Sequence, residues 1–354
     1  MSTSRLRSAR ALASLGAAIV RGNFGSRKPF KATVVLTERC DCRCEICWIW
    51  KKPKGPEPSP ADVAAFLRGA GTIRWLNLTG GEIFLRDDIE EVVAKALEAE
   101  PRLAVLDFPT TGQRTERIVP AVRRIAEMGV PRLFVTVSLE GPPALHDRLR
   151  GREGAFDRMI ETFSALRAVP GVQAYLGLTL SDKNADAVDD AISAVAARVP
   201  GFSERELHVN VATWSGHYYD NLAAGVGKPP SPRAAIEKVL AARRRRWWSP
   251  TDRLEAAYLS RVEEHVRTGR SPVKCRSLSA SVFVGPGGEV HPCTVYGRPL
   301  GNAWTTPLRE ILSSPEAEDA RRVIAEDKCP GCWSPCEAYQ TLLTSLPGGL
   351  FARP

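Results

Sequence analysis

The stretch Leu36-Thr-Glu-Arg-Cys40-Asp-Cys-Arg-Cys44-Glu-Ile-Cys47 decides how this chain is interpreted. Three of its cysteines have the spacing C-x3-C-x2-C, and Thr79-Gly80-Gly81-Glu82 follows at the end of the next apolar segment. Three cysteines supply three thiolates, whereas a cubane iron–sulfur cluster has four irons. The fourth iron would be open to a small ligand, which is what one-electron cleavage of a sulfonium requires.

A structural zinc site is an alternative for these cysteines. Such sites are closed by four ligands in paired C-x2-C knuckles, and Cys40 and Cys44 are not such a pair. Cys42 could complete a tetrad, although so dense a run would strain one tetrahedral site. A disulfide framework is disfavoured because the chain is long, has an ordinary apolar fraction and carries no secretory signal.

The composition describes a basic chain of 354 residues with a net charge of +9. The excess charge is partly local, at Arg21 to Lys31 and at Arg243-Arg-Arg-Arg-Trp-Trp248. Solvated helix ends account for such runs, and a surface for anionic lipid or an acidic partner is the alternative. No nucleic-acid recognition motif accompanies the charge, so we expect no nucleic-acid partner.

Apolar β-branched segments alternate with helical patterns along the first 250 residues. Six βα units of this kind predict an α/β fold, a parallel sheet buried on both faces that curls into a partial (β/α)6 TIM-type barrel. The predicted strands are Ala32–Thr37, Arg74–Thr79, Leu103–Phe108, Leu133–Ser138, Ala174–Leu180 and Glu206–Val211. The predicted helices are Pro60–Gly69, Asp87–Ala99, Thr115–Glu127, Phe156–Ala168, Ala185–Arg198 and Ser231–Arg246.

Polar motifs follow the predicted strands where each strand ends. The cysteine loop follows the first strand, and Thr79-Gly80-Gly81-Glu82 ends the second. The chemistry of barrel enzymes lies at the carboxyl ends of the strands. We therefore expect these motifs to meet at one end of the barrel.

Together the three cysteines and the Gly-Gly-Glu resemble the radical S-adenosylmethionine (SAM) superfamily. The resemblance implies a [4Fe–4S] cluster held by Cys40, Cys44 and Cys47, with SAM on the open iron. It implies that Gly80, Gly81 and Glu82 hold the SAM amino group, because glycines permit close backbone approach and Glu82 can accept a hydrogen bond from an ammonium. The further SAM contacts that it implies are Thr111, Ser138, Glu140, Arg148, Arg150, Thr179 and Leu180, with a structural turn and helix start as the alternative for the two arginines.

The tail of the chain is similar to the SPASM and twitch domains of this superfamily. It reads Cys275 to Cys293, with a hairpin turn at Gly287-Gly288, and then Cys329-Pro-Gly-Cys332-Trp-Ser-Pro-Cys336. Five cysteines suffice for one auxiliary [4Fe–4S] cluster, which we assign to Cys275, Cys293, Cys329 and Cys332, with Cys336 a spare or a replacement. Structural zinc remains an alternative, because thiolate tetrads suit both metals.

Three regions follow from these assignments. They are an N-terminal helical extension at 1–30, the barrel at 31–250 and the auxiliary-cluster domain at 251–354. No apolar run is long enough to span a bilayer, and we expect a cytoplasmic location. Residues 9–20 form an apolar stretch broken by arginine, which either packs as a helix against the barrel or makes peripheral contact with a membrane.

The expected activity is that of an enzyme: reductive cleavage of SAM to a 5′-deoxyadenosyl radical, which abstracts hydrogen from an unactivated C–H bond. The exact reaction, an oxidation or a bond formation, stays open. His217, Tyr218 and Tyr219 follow the sixth strand and are candidates for proton or hydrogen-atom transfer, with loop packing as their alternative. A flavodoxin or ferredoxin would supply the electron.

Candidate substrates are a small natural product, a lipid or a ribosomal peptide. In the peptide alternative a separate protein would bind the leader, because the segment before the first strand is too short for a leader-binding domain. The alternative from another class is an iron–sulfur electron-transfer protein, which needs no sulfonium site.

Overall fold

The fold is built on one nine-stranded sheet. The computed structural model describes residues 3–229, 231–244, 246 and 248–346. The strands are β1 (Lys31–Thr37), β2 (Trp75–Gly80), β3 (Val105–Thr110), β4 (Arg132–Leu139), β5 (Val172–Leu180), β6 (Leu207–Val211), β7 (Ser281–Val284), β8 (Glu289–His291) and β9 (Gly301–Asn302). Their order in the sheet is β6-β5-β4-β3-β2-β1-β7-β8-β9. Strands β1 to β6 are all parallel, which confirms the predicted partial barrel.

Helices connect the parallel strands and cover one face of the sheet. Those of the barrel region are α2 (Pro60–Ala70), α3 (Ile89–Ala99), α4 (Thr115–Glu127), α5 (Pro143–Arg150), α6 (Ala155–Arg167), α7 (Val188–Arg198) and α8 (Arg233–Arg244). Local sequence explains their ends: Ser59 and Asp62 form a capping box at the start of α2, and Gly71 ends that helix in the left-handed region. The short α5 was not predicted. Two residues of the basic run from Arg243 to Trp248, Arg245 and Trp247, lie outside the described residues.

The two faces of the sheet differ. Residues such as Leu76, Leu106 and Val135 pack in the main apolar core beneath the helices. Residues one position away, such as Asn77 and Asp107, line a cavity inside the barrel. Side chains alternate with a period of two along a strand, so only the helix-facing half of each strand is apolar core. The inner face of the predicted sheet is therefore lined by polar side chains around a cavity and not by apolar core.

The tail extends the barrel sheet. Strand β7 pairs in parallel with β1, in the register Lys31 with Ser281 to Val34 with Val284. Strands β8 and β9 then add antiparallel to this edge. The tail helices are α9 (Pro250–Leu259), α10 (Val262–Thr268), α11 (Leu308–Leu312), α12 (Pro315–Ala325) and α13 (Pro335–Leu343). Strand β1 is therefore an interior strand of the sheet. The tail is fixed beside β1, the strand that the cysteine loop follows.

Helix α1 (Thr3–Asn23) lies at the amino ends of the barrel strands. Ala11 packs with Val105, and Ala18 packs with Phe30 at the start of β1. Leu12, Leu15 and Ile19 line the inner end of the barrel cavity. Of the two predicted placements for this segment, the structure has the helix packed against the barrel.

No helix in the described part of the chain has both the length and the apolar composition needed to cross a membrane. The basic run at the end of α8 is also not wholly a surface feature. Arg243 is buried, and its guanidinium bonds to Asp252 at 3.1 Å and to the carbonyl of Leu207 at 2.8 Å. This arginine is therefore used inside the fold and is not available to a membrane surface.

Candidate functional site

A single cavity of about 730 Å³ runs through the barrel. At the carboxyl ends of the strands it is lined by three cysteines of the loop after β1 and by the end of β2. Its wall there consists of Cys40, Cys44, Cys47, Thr79, Gly80, Gly81, Thr111, Ser138, Glu140, Arg150, Thr179, Tyr218 and Tyr219. The polar motifs that follow separate strands in the sequence thus meet around one space.

The cysteine loop is held by an arginine from the end of α5. Nη1 of Arg150 donates to Sγ of Cys44 at 3.2 Å. The hydrogen bond from Cys42 lowers the pKa of the Cys44 thiol, and Arg150 adds to this lowering. Burial raises the pKa of Cys40 and of Cys47 to about 12. Because buried thiols are neutral unless a cation stabilises the thiolate, this donor set fits an iron cluster.

The Gly-Gly pair lies against the backbone of the cysteine loop. A Cβ at Gly80 would be 2.1 Å from the carbonyl oxygen of Thr37, and one at Gly81 would be 2.0 Å from that of Arg39. The N–H groups of Gly81 and Glu82 donate to these same two carbonyls, each at 2.8 Å. Any side chain here would separate β2 from the loop, so the glycines are required for the position of the cysteines.

The Glu82 carboxylate points away from the cavity. Its Oε2 accepts hydrogen bonds from the hydroxyls of Thr110 and Thr111, both at 2.8 Å, and from the Thr111 N–H at 2.6 Å. Its Oε1 accepts from the Phe84 N–H at 3.1 Å. The side chain is fully buried and its oxygens are occupied. The carboxylate of Glu82 therefore joins the ends of β2 and β3 in this structure, and its contact with a bound amino group stays a prediction.

Two other charged side chains have free hydrogen-bonding atoms beside the cysteines. Oε1 of Glu140 lies 3.6 Å from Nη1 of Arg150. Among the described residues, Oε2 of Glu140 and both Nε and Nη2 of Arg150 have no hydrogen-bond partner. Burial raises the pKa of Glu140 to about 8. An unpaired buried polar group costs free energy. A free acceptor and free donors in one place fit the ammonium and carboxylate of an amino-acid group such as that of SAM.

A second cavity, of about 270 Å³, lies in the tail. The four cysteines that line it are Cys275, Cys293, Cys329 and Cys332. Sγ of Cys293 accepts from the N–H groups of Val295 and Tyr296 at 3.4 and 3.2 Å, an arrangement that stabilises thiolates in clusters. Among the described residues, no three or more Cys, His, Asp or Glu side chains lie so that they could hold a single metal ion.

Two family models match the chain, and together they cover both cavities. The model of the radical SAM superfamily matches residues 34–191, which include the cysteine loop. The model of the SPASM iron–sulfur cluster-binding domain matches residues 275–333. The chain belongs to the radical SAM superfamily. This family of enzymes implies SAM and a [4Fe–4S] cluster as cofactors, and the SPASM match implies auxiliary iron–sulfur binding.

Two of the curated relatives come from Bacillus subtilis (strain 168). The sporulation killing factor maturation protein SkfB is 26% identical over 180 residues, 50% of this chain and 42% of SkfB. The antilisterial bacteriocin subtilosin biosynthesis protein AlbA is 22% identical over 321 residues, 85% of this chain and 65% of AlbA. Both matches span less than two thirds of the relative.

Solved structures share the fold of this radical SAM chain. SuiB of Streptococcus suis, solved bound to S-adenosylmethionine, superposes with a TM-score of 0.60 at 15% identity, covering 92% of this chain and 76% of SuiB. At this identity the likeness concerns the architecture alone.

The structure separates the other predicted SAM contacts into two groups. Thr111, Ser138 and Thr179 line the main cavity, as expected. Arg148 is exposed on α5 outside the cavity lining, two residues from the buried Arg150. Leu180 faces the helices, and its carbonyl accepts from the Ala212 N–H at 2.8 Å. Arg148 and Leu180 are therefore not in position to contact a ligand in this cavity.

The three candidates after β6 separate in the same way. Tyr218 and Tyr219 line the cavity, and the Tyr218 hydroxyl bonds to that of Thr79 at 2.8 Å. Burial raises the pKa of both tyrosines, so both are neutral phenols. His217 is outside the lining; Nδ1 pairs with Ser215 at 3.0 Å and Nε2 with the carbonyl of Cys293 at 3.1 Å. His217 thus joins the β6 loop to the tail.

Sequence reasoning missed two features of the site. The side-chain amide of Asn184, in the loop after β5, donates to the carbonyls of Glu140 and Thr179, at 2.9 and 3.0 Å. It therefore joins the ends of β4 and β5. Cys336, expected near the tail cysteines, lines the main cavity instead. Cys332 lies in the loop before α13 and Cys336 in its first turn, so the spacing of the two cysteines carries no signal for this difference.

Proposed function

We propose that the chain cleaves SAM reductively and that the resulting radical abstracts hydrogen from a C–H bond of a substrate held in the main cavity. The observation that carries the proposal is that cavity itself. It brings the thiols of Cys40, Cys44 and Cys47 together with the unpaired atoms of Glu140 and Arg150, beside enough volume for a second molecule. An electron-transfer protein would not need such a space.

In this proposal Cys40, Cys44 and Cys47 hold the [4Fe–4S] cluster, and Glu140 and Arg150 bind the amino-acid end of SAM. When both groups are bound, they supply the 5′-deoxyadenosyl radical. Gly80 and Gly81 keep the cysteine loop against β2, and Glu82 is a positioning residue. Helix α1 closes the inner end of the cavity and limits the entry of water.

The proposed auxiliary [4Fe–4S] cluster is held by Cys275, Cys293, Cys329 and Cys332, which line the tail cavity. Its backbone N–H donors to Cys293 would tune its potential. A low-potential flavodoxin or ferredoxin supplies the electrons. The division into regions 1–30, 31–250 and 251–354 remains a proposal, since β7 to β9 continue the barrel sheet.

The test is to reconstitute the protein anaerobically with iron and sulfide, reduce it with dithionite in the presence of SAM, and measure 5′-deoxyadenosine. The wild-type chain should form it. Cys40→Ala, Cys44→Ala and Cys47→Ala should each abolish it and remove about half of the iron, about four of eight atoms for two cubane clusters. Cys42→Ala is the matched control, because Cys42 is buried outside the cavity lining, and it should retain both.

We propose a peptide as the substrate class. The support is that two of the curated relatives are named for maturation of sporulation killing factor and for biosynthesis of the bacteriocin subtilosin. The cavity wall also offers hydrogen-bonding groups inside the barrel, among them Asn77, Asn210 and Tyr175, which suit peptide groups better than a lipid chain.

The peptide proposal is tested by incubating the reduced, cluster-loaded chain with precursor peptides encoded beside its gene. Mass spectrometry and chiral amino-acid analysis of the recovered peptide give the readout. A SAM-dependent change in one residue supports the proposal. Turnover of an amino sugar or a lipid, with every such peptide unchanged, would replace it.

A further inference from the structure

Cys336 differs from the other tail cysteines in the space that it faces. It is the second residue of α13 and lines the main cavity with the cysteine loop and both tyrosines. The tail cavity has its four thiols without it. A four-iron cluster held by four cysteines needs no fifth, so the position of Cys336 calls for another explanation.

The backbone holds this residue firmly. The Cys336 carbonyl accepts a hydrogen bond from Nζ of the buried Lys31 at 2.7 Å, and its N–H donates to Oγ of Ser334 at 3.3 Å. Pro335 precedes it at the start of the helix. Lys31 is the first residue of β1, so these contacts fix the start of α13 against that strand, and Cys336 lines the same cavity as the cysteine loop.

A second observation indicates that this cavity receives a polar ligand. The hydroxyl of Thr294 lines the cavity, is only 1% exposed and has no hydrogen-bond partner within the described chain. Leaving a buried hydroxyl unpaired costs free energy. Thr294 therefore marks a position where a bound molecule completes the hydrogen bonding, on the tail side of the cavity to which Cys336 also belongs.

We propose that Cys336 is a hydrogen-atom donor to the substrate radical. The inference rests on the proposed function, because the radical must first be formed. In the step, the S–H bond of Cys336 breaks and a C–H bond forms on the substrate carbon, leaving a thiyl radical. S–H bonds are the weaker of the two, which makes the transfer favourable. One electron from the flavodoxin or ferredoxin and one proton from water restore the thiol.

The balance of atoms in this step determines what happens to the substrate. The substrate loses one hydrogen atom and regains one, so its mass and oxidation state do not change. The regained hydrogen comes from an exchangeable thiol and can arrive on the opposite face of the carbon. The reaction class is therefore inversion of configuration at a C–H carbon, with solvent hydrogen incorporated at that carbon.

The first test needs no substrate. In D₂O, without added thiol, the reduced cluster-loaded chain turns over SAM, and the radical takes its hydrogen from donors in the cavity. Mass spectrometry measures the fraction of 5′-deoxyadenosine carrying one deuterium, a ratio that does not depend on the amount formed. We expect Cys336→Ser to lower this fraction at least threefold, because its O–H bond is too strong to donate. Gly69→Ala, a change at an exposed position of α2 outside the cavity lining, is the control and should leave the fraction unchanged.

The outcomes separate the two proposals. Absence of 5′-deoxyadenosine from the wild-type chain would refute the proposed function itself. An unchanged deuterium fraction in Cys336→Ser overturns the role of Cys336. The role of Cys336 is also overturned if the deuterium fraction falls in Tyr218→Phe but not in Cys336→Ser, because the donor would then be the phenol.

The second test is independent of turnover. The anaerobic, cluster-loaded chain is treated with iodoacetamide, and labelled cysteines are mapped by mass spectrometry. We expect Cys336 to be alkylated, while Cys275, Cys293, Cys329 and Cys332 are protected by iron. Cys336→Ser should bind as much iron as the wild-type chain. Protection of Cys336 together with loss of iron in Cys336→Ser would make it a cluster ligand and overturn the proposal.

Discussion

Replacement of Gly81 by alanine should disrupt the site through packing alone. The new Cβ would lie 2.0 Å from the Arg39 carbonyl oxygen and 3.1 Å from Cβ of Cys40, and backbone atoms cannot rotate away from it. Either the loop moves, or β2 moves. The hydrogen bonds from Gly81 and Glu82 to the loop, each 2.8 Å long, would be lost or stretched.

The size of the loss in the free energy of unfolding follows from these contacts. Two backbone hydrogen bonds contribute about 1 kcal/mol each, and overpacking costs about 1–3 kcal/mol, so we expect a loss of about 3–5 kcal/mol in the free energy of unfolding. Urea denaturation of the metal-free protein measures this loss. Since the added atom also displaces Cys40, the iron bound after reconstitution should fall by about half, the share of one of two cubane clusters.

Gly69→Ala is the matched control. Gly69 is an exposed residue in α2, with nothing within 4 Å of an added Cβ. Alanine in a helix is favoured over glycine by up to about 1 kcal/mol, so this variant should be as stable as the wild-type chain or more so. If Gly81→Ala unfolded at the wild-type urea concentration and bound the full amount of iron, the account of the Gly-Gly pair would be refuted.

Three further predictions follow from the same geometry. Glu140→Gln should weaken SAM binding by tenfold or more, because a hydrogen bond to a charged group contributes about 1.5–3 kcal/mol. Anaerobic calorimetry measures this, and Arg148→Gln, on the exposed face of α5, should leave SAM binding unchanged. Burial lowers the pKa of His146 to about 3. Below the pKa of about 6.5 in the unfolded chain, the unfolded chain therefore binds a proton that the folded chain does not, and the free energy of unfolding should fall by up to about 1.4 kcal/mol per pH unit as the pH decreases from 6.5. In denaturation experiments His146→Gln should show a shallower dependence on acid pH. Cys329→Ala should lose about half of the iron yet still form 5′-deoxyadenosine without substrate, and complete loss of that product would contradict the separation of the two cavities.

The parallel strands could be predicted from the sequence because each is bounded by helix starts and turn residues. The division of each strand into two faces could not. Thr179 and Leu180 are neighbours, and only the curvature of the sheet decides that the threonine faces the cavity and the leucine the helices. The same holds for Arg148 and Arg150 on the short α5: two residues correspond to about 200° around a helix, so one side chain is exposed and the other lines the cavity.

The tail shows more clearly which features the sequence could not predict. Four of its cysteines line one cavity, as the resemblance implied, since a hairpin base and a Cys-x2-Cys turn are local features. The fifth, Cys336, turns to the other cavity because Lys31 holds the start of α13 against β1. That contact joins residues far apart in the chain, and no spacing in the sequence predicts it. The pairing of β7 with β1 is a long-range contact of the same kind.

The central claim is that SAM binds next to an iron cluster on Cys40, Cys44 and Cys47. Electron paramagnetic resonance of the reduced Cys329→Ala variant tests it most directly, because that variant retains this cluster alone. The account predicts one [4Fe–4S]⁺ signal whose g values change when SAM is added, and no signal when Cys44→Ala is combined with Cys329→Ala. A spectrum that is the same with and without SAM would contradict the claim.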